Sequence, residues 1–260
     1  MIRLCWLVLF PLLYIPNKTS LKILSLFNTQ FSLLLLFLGL IPIGTLPAKQ
    51  DFPEPFVETL EGWTIEFGQD FQDFKHKKLF HQTKKALANH LQRIIFLLPQ
   101  EKHQELQKLV IRVDHQHELS NMQYHPSQGW LKKNGYDPSL EKRVHVPRAR
   151  QLLERATWLK HPYVILHELA HSYHDQVLNF ENEEIMLAYQ RAEKEQLYER
   201  VLLFRGGMTR HYARTNHKEF FAEMTESYVG VNDFFPFVRA ELKQHDPKTF
   251  SLMERIWGKF

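Results

Sequence analysis

The chain has 260 residues, 44% of them hydrophobic and 24% charged, with a formal charge of +4. Its first 48 residues hold three bases (Arg3, Lys18, Lys22) and no acid, and subtracting those three from 33 leaves 30 bases against 29 acids in the remaining 212 residues. That near-neutral balance argues against a nucleic-acid partner, which needs a clustered basic surface, and the single cysteine, Cys5, excludes an internal disulfide and leaves only His, Asp and Glu as metal ligands.

Residues 1–48 are dominated by Leu, Ile and Phe and read as a targeting region. The run Phe31–Ile43 is short of the roughly 20 residues a spanning helix needs, and Leu46-Pro47-Ala48 supplies a small-residue cleavage site. A secretory signal peptide and an exported protein are therefore expected. The earlier apolar run, Leu4–Ile15, fits either translation beginning near Leu21 or an uncleaved membrane anchor. Residues 49–260 have the length of one domain with a single sizeable core.

Asp51–Pro55 reads as an extended arm, and Gly62–Phe67 alternates as a strand. Lys75–Leu98 has helical spacing, with Leu79, Leu87, Leu91, Ile94, Ile95 and Leu98 on one stripe and a solvated lysine face opposite. Leu109–Val113 reads as a buried strand. Two more strands are expected around Met122–His125 and Arg143–Val146, separated by Asn134-Gly135 and Asp137-Pro138 turn signals. His115, His117, His125 and His145 lie in or beside these strands; a second metal site is the alternative, but without a recognisable ligand spacing exposed strand or loop histidines are the favoured reading. The segment Arg143–Pro147 is expected to form an open sheet edge, to which an extended peptide can add by main-chain hydrogen bonds.

The segment His161–Asp175 contains His167-Glu168-Leu169-Ala170-His171. Pro162 suits a first helical turn, and nothing from Tyr163 to Leu178 breaks a helix. His167 and His171 then project from one face, one turn apart, and can meet one metal ion. Glu168 points about 100° away, where it can reach a water on that ion. The Val-Ile-Leu run ahead of the histidines makes the helix apolar elsewhere, and buried imidazoles and a carboxylate are costly unless something binds them.

A third ligand must come from elsewhere. His174 is about 10.5 Å along the helix from His167, too far for one ion; a pocket-lining role, a supporting role behind the ligands, or simple exposure suits it better. Glu193 and Glu195 look like surface pairing within a charged amphipathic stretch. Gly206-Gly207 opens a loop, and Asn216 caps a helix His217–Val229 on which Glu219, Glu223 and Glu226 fall in register along a largely apolar segment. Ligation by this acidic row is favoured, although Glu219 could instead complete a capping box and the other two could form a solvated stripe. A final helix, Pro247–Trp257, is expected to pack Trp257, with Phe260, against the metal helix.

The His-Glu-Leu-Ala-His helix, followed by Tyr212 and then Glu219-Phe-Phe-Ala-Glu223, resembles the gluzincin metallopeptidases of the anthrax lethal factor and Pro-Pro endopeptidase type, over roughly residues 160–230. The resemblance implies that Glu219 is the third zinc ligand beside His167 and His171, and that Tyr212, seven residues before it, faces the open coordination position. It implies a zinc-dependent peptidase acting on a peptide or protein, with Glu168 as general base to a metal-activated water, Tyr212 (or His211 in its place) donating to the oxyanion, and Glu223 accepting from the outer nitrogen of a ligating histidine. The fold expected is α+β and zincin-like: a small twisted mixed sheet with helices in an upper lobe, about 49–160, a mostly helical lower lobe, about 161–260, and zinc in the cleft. The alternatives are a zinc-stabilised binding module without activity and a toxin-like effector protease with one protein target.

Overall fold

A computed structural model describes residues 51–259. The signal peptide or anchor expected in residues 1–48, with Cys5, and the packing expected of Phe260 lie outside the described residues. Among those described, no helix is long and apolar enough to cross a membrane.

The arm 51–55 carries no helix or strand and leads into a hairpin of β1 (Phe56–Leu60) and β2 (Trp63–Phe67). Glu61 (φ 52°) and Gly62 (φ 89°) form its two-residue turn, both left-handed, as the twist of paired strands requires. Alternation in β2 puts Trp63, Ile65 and Phe67 fully inside. The chain then crosses over through α1 (Lys77–Leu97) and α2 (Gln100–Leu106) to β3 (Ile111–Val113), a connection that parallel pairing needs. Thr83, Leu87, His90, Leu91 and Ile94 form the buried face of α1, while Leu79 and Ile95 pack at its margin. β4 (Gln123–Tyr124), α3 (Gln128–Lys133) and β5 (Val144–Val146) complete a mixed sheet in the order β1-β2-β3-β5-β4, with β2, β3 and β5 parallel and the two outer strands antiparallel.

Two expectations are overturned here. β5 is not an open edge: all three of its residues are buried between β3 and β4, and the free edge on that side is β4. A two-residue strand is too short to show a period of its own, so its cover over β5 is invisible in sequence. Nor are the strand histidines all exposed. His145 (0% exposed) and His125 (2%) are buried in a chain running from His125 Nε2 to His145 Nδ1 (3.0 Å), from His145 Nε2 to Asp114 Oδ2 (2.9 Å), and from Arg112 Nε to Asp114 Oδ1 (2.9 Å). His125, His145 and Asp114 each meet a partner across adjacent strands, and Arg112 pairs with Asp114 two residues on, which makes the burial tolerable. His115 and His117 are half-buried.

From α4 (Arg155–Lys160) onward helices dominate: α5 (Val164–Tyr173), α6 (Glu183–Lys194), α7 (His217–Val229), α8 (Arg239–His245) and α9 (Pro247–Trp257). One hairpin, β6 (Val201–Leu202) with β7 (Met208–Thr209), interrupts them, its loop passing through Gly206 and Gly207. α5 runs on into a π turn, His174–Leu178. His174 is fully buried there, 4.9 Å from the Phe221 ring, so neither exposure nor a place on the cleft wall describes it. Trp257 (0% exposed) lies 4.8 Å from Tyr173 on α5 and 6.0 Å from Phe221 on α7, and donates from Nε1 to Thr225 Oγ1 at 3.0 Å.

Gly230 ends α7 against Tyr163, the residue just ahead of α5. A Cβ at Gly230 would sit 2.6 Å from Cε1 and Cζ of that ring, and the ring is held in turn under Arg93, whose guanidinium is 4.7 Å from its centroid. Gly230→Ala is therefore expected to destabilise the fold by about 1–3 kcal/mol, the usual cost of overpacking. A urea denaturation midpoint equal to that of the parent protein would contradict this contact.

Candidate metal centre

Ile165, Leu166, Leu169 and Ala170 bury one side of α5 and so turn His167, Glu168 and His171 toward a cleft of about 710 Å³. Beneath it, the side chain of Asn216 accepts from the main-chain N–H groups of Lys218 (2.9 Å) and Glu219 (3.0 Å), fixing the first turn of α7. The Glu219 side chain turns to the histidines. Its Oε2 lies 3.3 Å from His167 Nε2 and 3.2 Å from His171 Nε2, and the two nitrogens are 3.1 Å apart. These three residues form a group that can hold a metal ion.

Burial opposes charge on His167, but contacts with Glu219 and Glu226 hold its imidazole above the ordinary range. Burial has the upper hand at His171 and lowers it. Burial works to raise Glu219 too, yet both histidines together keep its carboxyl well below the usual carboxylate range. Glu168, on the neighbouring face of α5, is 7% exposed; burial pushes its carboxyl up to about 8, with His167 opposing and the Glu219 charge adding to the rise, and the main-chain N–H of Tyr124 on β4 pulling it down.

Tyr212 occupies a short 3-10 turn, Tyr212–Arg214, is 47% exposed and lines the cleft with Glu168 and Glu219. His211 does not share that position. It is 1% exposed, its Nδ1 accepts from the Ala213 N–H at 3.1 Å, and its ring stacks on Phe234. Behind the triangle, His167 Nδ1 is closer to Glu226 Oε1 (3.5 Å) than to Glu223 Oε1 (3.8 Å), while Glu223 Oε2 accepts from Asn232 Nδ2 at 2.9 Å. Glu193 and Glu195 lie elsewhere, paired with Arg214 and Arg191.

Three participants were not singled out from sequence. β4 forms one wall of the cleft beside Glu168, and His161 and Asp233 gather near Glu226. Nothing local in the sequence marks Asp233, in the tail after α7; burial raises its carboxyl to about 7, the Glu226 charge adding to the effect. No family model matches the chain, and no curated protein or solved structure matches it either.

Proposed function

We propose that the chain is a zinc-dependent peptidase of gluzincin type, with a zincin-like arrangement in which the sheet lies above α5 and α7 lies below it. The observation carrying this reading is the closed triangle of His167 Nε2, His171 Nε2 and Glu219 Oε2, with sides of 3.1, 3.2 and 3.3 Å. Ligands about 2.0–2.1 Å from a tetrahedral zinc stand about 3.3–3.4 Å from one another, so donor set and spacing both fit that ion. His167, His171 and Glu219 would hold the ion, and when bound it would supply Lewis-acid chemistry and lower the pKa of water.

The remaining chemistry belongs to side chains and main chain. Glu168 takes the proton of the attacking water and passes it to the departing amine. Tyr212 donates its phenolic hydrogen to the carbonyl oxygen as that oxygen gains charge. The antiparallel edge strand β4 gives an extended peptide a place to lie along the cleft. Glu226 and Glu223 face the outer nitrogen of His167 and orient its ring.

Incubation of the purified protein with a peptide library is expected to give cleavage that 1,10-phenanthroline abolishes and added Zn²⁺ restores. Absence of cleavage from the zinc-loaded protein, or cleavage indifferent to chelator, overturns the reading. Tyr212→Phe is expected to lower turnover about 10²-fold, in line with loss of one oxyanion donor worth about 3 kcal/mol, with metal content unchanged. Full turnover in that variant removes Tyr212 from the mechanism. A zinc-stabilised binding module without activity has no use for a carboxylate and a phenol turned into an open cleft.

A further inference from the structure

A second polar cluster lies behind the triangle, and the peptidase reading uses only Glu226 of it, leaving His161 and Asp233 with nothing to do. Glu226 and Asp233 are each 1% exposed. Glu226 Oε1 and both carboxylate oxygens of Asp233 have no hydrogen-bond partner among the described residues. His161 Nδ1 is 3.7 Å from Asp233 Oδ1, and His161, Glu226 and Asp233 each bring one ligand atom to within 4.8 Å of the other two.

Charges available to compensate these acids are few. Glu223, also 1% exposed, adds a third carboxylate, although Asn232 donates to it. His167 presents a single nitrogen on this side, Nδ1, 3.5 Å from Glu226 Oε1. The Lys160 charge reaches Asp233, but the ammonium makes no ion pair with it among the described residues. Buried carboxylates without partners are costly, and a bound cation is one of the two ways of compensating them, protonation being the other. The three residues come from three segments: His161 stands ahead of α5, Glu226 lies in α7, and Asp233 lies in the loop beyond it, where its carbonyl accepts from the Phe204 N–H at 2.8 Å. An ion has a way in, because His161 lines the main cleft and its side chain is 32% exposed.

We propose that His161, Glu226 and Asp233 form a second divalent-cation site, for an ion such as Zn²⁺ or Mn²⁺ that accepts imidazole and carboxylate together. The ion clamps the approach to α5 onto α7 and the loop after it. The site does not depend on the peptidase reading.

The test is metal stoichiometry. The full chain is stripped with chelator, equilibrated with excess Zn²⁺, or Mn²⁺ in a parallel arm, desalted, and its metal counted by mass spectrometry alongside a thermal melt. Two ions per chain are expected in the parent with at least one of the two metals, one in Asp233→Asn, one in His161→Ala, one in Glu219→Ala, and none in the Glu219→Ala/Asp233→Asn double variant. The metal-induced rise in melting temperature is expected to shrink in His161→Ala. A parent that binds a single ion, retained in both Asp233→Asn and His161→Ala, overturns the proposal and shows that these acids carry protons instead; a parent that binds none overturns it together with the triangle. An ion that survives Glu219→Ala and disappears in His161→Ala upholds it even if no peptide is ever cut. Because His161 is partly exposed, its variant decides the matter should Asp233→Asn fail to fold.

Discussion

On the peptidase reading, Glu168→Gln is expected to reduce peptide hydrolysis by about 10²–10⁴-fold, the range for loss of a positioned general base, with metal binding and fold unchanged. Glutamine has the volume of glutamate and can still accept from the Tyr124 N–H that approaches this side chain. What it lacks is an oxygen basic enough to take a proton from water. Because Glu168 is not one of the three atoms of the triangle, metal content measured beside turnover separates the two roles. A variant with parent-like turnover, or one that loses its metal, shows that Glu168 serves in some other way.

Glu219→Ala is expected to cost far more metal than Glu223→Ala. Glu219 Oε2 stands within 3.3 Å of both imidazole Nε2 atoms, whereas Glu223 approaches His167 only at Nδ1, at 3.8 Å, and spends its other oxygen on Asn232. On the proposed reading Glu219 is a direct ligand, and its removal leaves two nitrogens to hold an ion. Removing an orienting group lowers affinity by about 10–100-fold, the usual cost of an outer partner. Both variants are titrated with Zn²⁺ against a competing chromophoric chelator. The reverse order would move the ligand role to Glu223.

The two helices that meet at the triangle were legible because helical periodicity places His167 with His171, and Glu219 with Glu223 and Glu226, before any fold is known. Asn216 was legible as the cap for the same local reason. The sheet was harder. Strands of two and three residues show too little alternation to reveal which one ends the sheet, so β5 read as an edge although β4 covers it. His145 read as exposed because its partner, Asp114, comes from beside a strand far away in sequence and gives no local sign. His161 and Asp233 were missed for that reason as well: only the close approach of α7 to the segment before α5 makes neighbours of them.

β4 has one further consequence. It is two residues long, and Tyr124, one of those two, directs its main-chain N–H toward Glu168 and its hydroxyl to Asp175 Oδ2 at 2.5 Å. On the peptidase reading, a substrate laid against so brief a rail gains few backbone hydrogen bonds. Selection then falls to the side chains around the cut, where Lys160, Lys218 and Phe180 line the walls. Such an enzyme reads a short word in its target and ignores the sentence around it.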